Sequence, residues 1–396
     1  MTSNLDSIIC DAVDAMADEL LAVSHAIHQK PELAFKEYFA CETLTNALSE
    51  HEMNPEVGIF TLPTAFEAIL NADSDGPVVA ILAEYDALPK IGHSCGHNLI
   101  ATSALGAALA LQKIADQLPG KIRLIGTPAE EKGGGKEIMA RAGAFEGVDA
   151  AMMIHPAGVN IATMPCICVS EVEVIYHGKS SHASSAPHKG INALDGLLLA
   201  YQAISNLRQH IRPTERIHGI ITRGGDAPNI VPDDTAGEFY VRAANERDLA
   251  KLKPRVQACF EAGAKGSGAE VEVKWSNVDY LDLNTNWPLA EEFQQRAETL
   301  GREFLPIKGL GSAGAGSTDM GNVSYRVPSI HPMLACAPRN VVIHNPEFAK
   351  WAGSEMGDNA ALDGAKSLAM TAAAFLTNPG LQQESRKAFD VSQGLS

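Results

Sequence analysis

The stretch EYDALPKIGHSCGHN, residues 84–98, decides how this chain folds and where its chemistry lies. It follows the apolar run VVAILA at 78–83 and precedes a small-residue apolar run at 99–111. The first run predicts a buried strand and the second a buried helix, so the stretch begins at the carboxyl end of a strand. Five of its side chains can bind a metal ion: Glu84, Asp86, His93, Cys95 and His97.

Two further strand ends carry side chains of the same kind. Apolar runs separated by helical segments predict two more strands of one parallel sheet, at 121–126 and 150–154. Glu130 and Glu131 follow the first of these runs, and His155 follows the second. Ligands of such sheets bind outside the carboxyl ends of the strands. We therefore expect these three residues to lie near the 84–98 stretch.

The pattern changes after residue 165 and predicts a second domain. Alternating strands and two helices follow in the order β-α-β-β-α-β, which is typical of ferredoxin-like domains, with strands at 169–176, 216–223, 235–243 and 269–275. We predict an α/β catalytic domain, formed by 1–167 and 284–396, with a mixed, largely parallel sheet flanked by helices. Residues 168–283 form an inserted α+β domain. A glycine-rich loop is expected at 309–316, and the tail from Pro379 is expected to be loose.

Composition excludes several classes of partner. The net charge is −17 and no lysine or arginine cluster stands out, so neither nucleic acid nor membrane is an expected partner. The longest apolar stretch, 99–111, is too short to span a bilayer. Seven scattered cysteines without a secretion signal indicate reduced thiols, and we expect a cytoplasmic location.

Each motif alone also has an ordinary structural explanation. Cys95 and His97 fit a buried cysteine beside a helix-capping histidine. Glu130 and Glu131 fit neighbouring acids on a solvated surface, and a strand-end His155 fits a core residue. Besides the metal-site and structural interpretations, Cys95 could be a nucleophile with His93 or His97 as its base. The residues alone leave these alternatives open.

Motifs of two other enzyme classes are poor matches. The GxGxxG spelling at 309–314 lacks an acid about twenty residues on, where Leu334 stands. The GKS at 178–180 resembles the end of a P-loop, but Glu173 takes the place of its first glycine. A serine hydrolase would carry GxSxG, a motif that the sequence does not contain.

Nine segments together resemble the M20 family of metallopeptidases and amidohydrolases, in particular its subfamily D. The resemblance covers nearly the whole chain and is strongest to aminobenzoyl-glutamate hydrolase-like and M20 domain-containing protein 2-like members. The segments are HQKPEL (28–33), AEYDALP (83–89), GHSCGHN (92–98), GTPAEEKGGG (126–135), His155, SSHASSAPHKGINALD (180–195), NIVPD (229–233), GSTDMGNVS (316–324) and IHNPEF (343–348).

The resemblance implies a metal site with a general base. It implies two divalent ions, Zn²⁺ or Mn²⁺ with Co²⁺ or Ni²⁺ as further options, held by five residues: Cys95, His97, Glu131, His155 and His344. Glu130 would be the general base, and Asp86 would orient a ligand without binding metal itself. Glu84 stands where most members carry a histidine, and Asn98 stands where many carry an aspartate.

The resemblance also assigns roles to the inserted domain, which would be a lid through which a homodimer forms. His182 would reach into the site of the partner subunit and stabilise the oxyanion formed during hydrolysis. Substrate would be bound by Asn229, Arg242 and the loop at Gly316 and Ser317.

The expected function is hydrolysis of the amide bond of an N-acyl amino acid or a related small amide, such as an aminobenzoyl-glutamate-like compound. The reaction would use a metal-activated water, with Glu130 as general base. One alternative is a dipeptidase that acts on small basic or β-alanyl dipeptides. A non-enzymatic alternative is a silent dimer that binds metal or ligand.

Overall fold

A computed structural model describes residues 2–306 and 316–394 of the chain. Within these residues the chain divides into two compact units. The first unit draws on Met1–Pro165, Leu283–Gly314 and Thr318–Ser396, and the second on Cys166–Asp282 and Ala315–Ser317. The expected glycine-rich loop at 309–316, except for Gly316, lies outside the described residues, and so does the GxGxxG spelling.

Twelve strands and twelve α-helices form in the described part of the chain. The strands are β1 (Glu56–Val57), β2 (Phe66–Leu70), β3 (Val78–Ala83), β4 (Lys121–Gly126), β5 (Ala150–Met152), β6 (His155–Ala157), β7 (Cys168–His177), β8 (Arg216–Arg223), β9 (Asp234–Ala243), β10 (Glu270–Trp275), β11 (Ser329–Ile330) and β12 (Met333–Ala335). The helices are α1 (Thr2–Ala15), α2 (Ala17–Gln29), α3 (Tyr38–Glu50), α4 (His97–Gln112), α5 (Gly135–Arg141), α6 (Ala193–Leu207), α7 (Glu246–Ser267), α8 (Trp287–Thr299), α9 (Met320–Ser324), α10 (Pro346–Ala352), α11 (Glu355–Thr377) and α12 (Pro379–Ser392).

The first unit is built on a six-stranded mixed sheet with the order β1-β2-β4-β3-β5-β11. Strands β4, β3, β5 and β11 run parallel, whereas β2 and β1 join antiparallel at one edge. The central strand β3 is apolar throughout and almost wholly buried, as expected for a parallel strand covered on both faces. The expected α/β class with a mainly parallel sheet flanked by helices is confirmed.

Two buried helices cover this sheet close to the 84–98 stretch. Helix α4 begins at His97, near the end of that stretch, and its residues 97–111 are all buried. Helix α11, rich in alanine, packs against α4. Small side chains on both helices let the two backbones approach closely. This packing fixes the start of α4 at the carboxyl end of β3.

The second unit has an antiparallel four-stranded sheet with the order β10-β7-β9-β8. Its elements follow one another as β7-α6-β8-β9-α7-β10, an order found in ferredoxin-like domains. Strand β7 alternates between buried and more exposed residues, and its buried Val172, Val174 and Tyr176 join Leu197 of α6 and Phe260 of α7 in one core. One face of the sheet is therefore covered by helices.

The C-terminal segment of the first unit differs from the expectation drawn from its sequence. The prediction of a loose tail from Pro379 is wrong, because Pro379–Ser392 forms α12. Its buried Leu381, Ser385 and Phe389 recur every four residues, a helical stripe that the polar composition hid.

Among the described residues, no helix has the length and apolar character needed to cross a membrane.

Candidate metal and catalytic site

The turn between β3 and α4 brings Cys95 and His97 to the end of the sheet. Gly96, between them, has φ +79°, a left-handed conformation that favours glycine. A Cβ atom at Gly96 would lie 2.9 Å from the side chain of Pro156. This close approach places Cys95 next to His155, and Cys95 Sγ lies 3.4 Å from His155 Nε2.

Cys95 belongs to two sets of side chains whose ligand atoms all lie within 4.8 Å of one another. One set is Cys95, His97 and His155, and the other is Cys95, Glu131 and His344. The five residues that the sequence singled out as metal ligands are therefore brought together, with the thiol shared by both sets. The arrangement offers two adjacent three-ligand positions.

Asp86 connects the two sets by hydrogen bonds. Its Oδ1 lies 3.1 Å from His97 Nδ1, and its Oδ2 accepts the backbone N–H of Glu131 at 2.9 Å. Burial acts to raise the pKa of Asp86, but the hydrogen bond and charge of His97 outweigh it, so the pKa lies below its usual value. The ionised carboxylate of Asp86 accepts a hydrogen bond from the proton-bearing Nδ1 of His97. His97 Nε2 is then the nitrogen that faces Cys95 and the neighbouring acids.

The loop that carries Glu130 and Glu131 is held by a buried acid from another segment. Ala129 has φ +63°, a strained conformation for a residue with a side chain. Its backbone N–H donates to Glu37 Oε1 at 2.9 Å, and Glu37 Oε2 accepts the hydroxyl of Thr64. Strain held in this way beside two acids is typical of a functional site.

Carboxylates crowd around His97. His97 Nε2 lies 3.5 Å from Glu84 Oε2, 3.8 Å from Glu130 Oε2 and 4.0 Å from Glu131 Oε1. Burial, together with the neighbouring Glu84 and Glu131, raises the pKa of Glu130 well above its usual value. Burial also raises the pKa of Glu131 to about 7 and that of the Cys95 thiol well above its usual value.

These residues fit a pair of divalent cations. His97 Nε2, Glu131 Oε1 and Glu84 Oε2 are buried and have no hydrogen-bond partner. Burial lowers the pKa of His155 to about 3, which keeps this imidazole in the neutral form that binds metals. Burial raises the pKa values of Glu130 and Glu131 because it disfavours their charged forms, and bound cations would offset that cost.

Sequence reasoning missed two charged residues behind the cluster. The ammonium of Lys136, on α5, donates to Glu84 Oε1 and to Asp319 Oδ1, and all three side chains are fully buried. The Lys136 backbone N–H also donates to Asp319 Oδ2 at 2.8 Å. Asp319 lies in the GSTDMGNVS segment, which carries part of the family resemblance and could have pointed to it. Lys136 has no such signal, because its sequence context is that of a lysine on a helix surface.

His331 is a third residue that sequence reasoning did not single out. It is fully buried, its ring centroid lies 5.4 Å from that of His155, and neither ring nitrogen has a hydrogen-bond partner. The apolar run around it gave no signal of function. His93, by contrast, stacks on His28 with ring centroids 6.1 Å apart and belongs to none of the described ligand sets.

The other predicted site residues belong to the second unit. His182 Nδ1 accepts the backbone N–H groups of Ser184 and Ser185, both at 3.3 Å. The carbonyl oxygen of Asn229 accepts the N–H of Ala183, so Asn229 lies beside the His182 loop.

Arg242 forms a separate group in the same unit. Its Nη1 donates to Ser317 Oγ at 3.0 Å, and Ser317 Oγ donates in turn to the carbonyl oxygen of Ile167. The carbonyl oxygen of Gly316 accepts the N–H of Ile167. The structure therefore groups Arg242 with Gly316 and Ser317.

Comparison with known proteins places the chain among hydrolases. A family model described as peptidase family M20/M25/M40 matches residues 80–361. The chain is 40% identical over 394 residues to the Xaa-Arg dipeptidase of Mus musculus, covering 96% of this chain and 90% of that protein. It is 28% identical over 451 residues to one of the subunits of the p-aminobenzoyl-glutamate hydrolase of Escherichia coli, covering 95% of this chain and 93% of that protein.

Solved structures share the fold. One is a dinuclear metal-binding peptidase of the M20 family from Bacillus subtilis, with a TM-score of 0.68 and 22% identity, covering 91% of this chain and 99% of that one. Another is an aminobenzoyl-glutamate utilization protein from Klebsiella pneumoniae, with a TM-score of 0.69 and 19% identity, covering 89% of this chain and 97% of that one.

Proposed function

The chain belongs to peptidase family M20/M25/M40 and is a hydrolase of the peptidase and amidohydrolase type, and we propose that it cleaves the amide bond of a small substrate with a free carboxylate. One observation carries the proposal. The buried carboxyl of Glu130 lies beside His97, which shares a ligand set with Cys95 and His155. A proton-accepting group next to a cation site is the arrangement that hydrolysis by activated water requires.

The metal ligands in this proposal are the five residues that the structure groups around Cys95. A set of sulfur, nitrogen and oxygen donors suits Zn²⁺ or another late first-row ion such as Co²⁺ or Ni²⁺, and Mn²⁺ is the further candidate. We assign Cys95, His97 and His155 to one position, and Cys95, Glu131 and His344 to the other. When bound, the ions supply Lewis acidity towards water and the substrate carbonyl.

Glu130 would move the proton in both halves of the reaction. Its carboxylate accepts a proton from the attacking water and then passes that proton to the leaving amine. Burial, followed by the charges of Glu84 and Glu131, raises its pKa, which makes it a stronger proton acceptor than an exposed carboxylate. A general base of this kind typically contributes about 10²- to 10⁴-fold to the rate.

His182 is proposed as the donor to the developing oxyanion. Because its Nδ1 accepts two backbone N–H groups, its proton resides on Nε2. An N–H on Nε2 is free to donate to substrate, and such a donor is worth about 3 kcal/mol in the transition state. Arg242, steadied by Ser317, is proposed to bind the substrate carboxylate together with Gly316, and Asn229 to bind the substrate backbone.

The dipeptidase form of the reaction has the stronger support. The chain is 40% and 38% identical to Xaa-Arg dipeptidases of Mus musculus and Homo sapiens, against 28% for the Escherichia coli aminobenzoyl-glutamate hydrolase. We propose a dipeptide with a basic C-terminal residue as substrate, and an N-acyl amino acid such as an aminobenzoyl-glutamate-like compound as the second candidate. A net charge of −17 is compatible with a cationic substrate.

A substrate panel with two variants tests the proposal. Purified protein, reconstituted separately with Zn²⁺ and Mn²⁺, is assayed on Xaa-Arg dipeptides, aminobenzoyl-glutamate and hippurate-like amides. Glu130→Gln should keep its metal but lose about 10²- to 10⁴-fold in kcat. Glu131→Gln, a matched change at a proposed ligand, should instead lose metal. Full turnover by Glu130→Gln would refute the general-base assignment, and a metal-loaded wild type that is inactive on the whole panel would favour the silent binding protein.

A homodimer through the second unit is the proposed assembly. Strand β8 lies at the edge of its sheet, and its Ile220 side chain is 63% exposed. Leu198 and Leu199 of α6 are also exposed. Exposed apolar side chains on an edge strand and a neighbouring helix form a surface that a partner can cover. Light scattering should give twice the chain mass for the wild type and the chain mass for Ile220→Lys. The control Ile69→Lys, at an exposed isoleucine of β2 in the first unit, should leave the mass unchanged.

A further inference from the structure

A third group of ligand atoms lies behind the proposed metal pair. Carboxylate oxygens of Glu84, Glu130 and Asp319 lie within 4.8 Å of one another, and all three side chains are buried. Of the three, Glu130 also belongs to another such group, in which its ligand atoms lie close to those of His97 and Glu131. Three buried carboxylates at this separation repel one another strongly unless a positive charge lies between them.

The positive charge in this group is the ammonium of Lys136. It contacts Glu84 Oε1 and lies 2.7 Å from Asp319 Oδ1, and the Lys136 side chain has no exposed surface. The Lys136 backbone N–H donates to the other oxygen of Asp319. Lys136 therefore binds Asp319 through both its main chain and its side chain. These two contacts fix the position of the ammonium.

The two oxygens of the Glu84 carboxylate have different surroundings. Its Oε1 is engaged by Lys136, whereas its Oε2 is buried, lacks a hydrogen-bond partner and lies 3.5 Å from His97 Nε2. A carboxylate in this position could bind a cation with either oxygen. Engagement by Lys136 makes Glu84 a weaker ligand, because the ammonium already offsets its charge.

We infer that the ammonium of Lys136 is a resident cation that occupies a third cation position formed by Glu84, Glu130 and Asp319 and keeps divalent ions out of it. Lys136 is thus a positioning residue that limits the site to the ions bound around Cys95. The inference rests on the proposed function, since it takes the metal pair as given. Oxygen-only ligands would suit a hard ion such as Mn²⁺ at the position that Lys136 vacates.

Metal stoichiometry tests the inference directly. Wild type, Lys136→Ala, Lys136→Met and the double variant Lys136→Ala/Glu84→Gln are dialysed to equilibrium against Mn²⁺, and bound metal per chain is measured by mass spectrometry. Lys136→Ala opens space and leaves the carboxylates uncompensated, so it should bind one more Mn²⁺ per chain than the wild type. Lys136→Met fills the space, and the double variant removes a ligand, so neither should gain an ion. Lys132→Ala, at an exposed lysine four residues earlier, is the matched control and should equal the wild type.

The outcomes separate this inference from the proposed function. A wild type that binds Mn²⁺ while Lys136→Ala gains nothing overturns the inference alone. A wild type that binds neither Mn²⁺ nor Zn²⁺ overturns the metal pair itself. If Lys136→Ala does not fold, thermal unfolding of Lys136→Met and Lys136→Met/Glu84→Gln decides. The double variant should melt higher because its buried charge is again balanced, and an equal or lower melting temperature contradicts the role of Lys136.

Discussion

Replacing Asp86 with asparagine is a sharp test of how the proposed metal ligands are oriented. The aspartate uses one oxygen for His97 Nδ1 and the other for the backbone N–H of Glu131. Asparagine has the same shape but only one carbonyl oxygen, and its amide NH₂ must face one of these two donors. The variant therefore loses at least one charge-assisted hydrogen bond, and both ligands that Asp86 connects become less well oriented.

The size of the effect follows from that lost bond. A hydrogen bond to a charged group contributes about 1.5–3 kcal/mol. Since about 1.4 kcal/mol corresponds to a tenfold change in a binding constant, Asp86→Asn should weaken metal binding by about 10- to 100-fold. Because Asp86 does not touch the reacting atoms in this proposal, most of kcat should return at saturating metal.

Competition of the metal-free protein with a chromogenic chelator measures this affinity, and turnover is measured across metal concentrations. Asp248→Asn, a change at a buried aspartate of the second unit, is the matched control and should bind metal like the wild type. An Asp86→Asn protein that binds metal within about twofold of the wild type would refute the reasoning. Activity that stays absent at every metal concentration would instead give Asp86 a direct part in the chemistry.

Three further perturbations have defined outcomes. Gly96→Ala forces a side chain into a left-handed conformation 2.9 Å from Pro156 and should cost roughly 1–3 kcal/mol of stability in chemical denaturation, with weaker metal binding; unchanged stability would contradict the close packing. Burial, and then the charge of Asp86, raises the pKa of Glu37 from 4.5 to about 7, so the folded state holds a proton that the unfolded state releases between these values. Glu37 alone should therefore lower the stability of the metal-free protein by up to roughly 3 kcal/mol as pH rises through this window, in addition to the effect of the buried acids around His97. Glu37→Gln, which cannot ionise, should show a fall that is smaller by this amount when denaturation midpoints at pH 5 and pH 8 are compared. Chelation should abolish turnover and lower the melting temperature, since metal at a thousand times its dissociation constant contributes about 4 kcal/mol, whereas turnover that survives chelation would favour Cys95 as a nucleophile.

The sequence predicts the first unit well where local pattern decides the structure. Apolar runs and their polar ends locate β3, β4 and β5, and the rule that ligands bind at the carboxyl ends of parallel strands predicts that Cys95, Glu131 and His155 lie close together. The structure brings them together as expected. His344 was reached through the family resemblance, because a half-exposed histidine in a loop has no periodic signal.

The parts that sequence reasoning missed depend on distant partners. Lys136 is buried because Asp319, 183 residues further along the chain, meets both its backbone N–H and its ammonium. No local pattern distinguishes it from the exposed Lys132 in the same segment. Helix α12 was also missed, because only three of its residues are buried and one of them is a serine. The two apolar residues, Leu381 and Phe389, do not stand out from their polar neighbours.

The charges of the cluster link catalysis to cation binding. Five carboxyl groups lie in or beside the cluster around His97: Glu84, Asp86, Glu130, Glu131 and Asp319. The ammonium of Lys136 offsets one of these five negative charges. The remaining negative charge must be balanced by protons or by bound cations, because burying it uncompensated is too costly. Protons compete with cations for Glu130, because burial and then the charges of Glu84 and Glu131 raise its pKa well above its usual value, and a protonated carboxyl cannot act as a base. Balance by cations frees Glu130 to ionise. In the proposed mechanism, proton transfer by Glu130 and cation binding around Cys95 are therefore coupled through charge, and Glu130 would act as a base only when cations occupy the ligands.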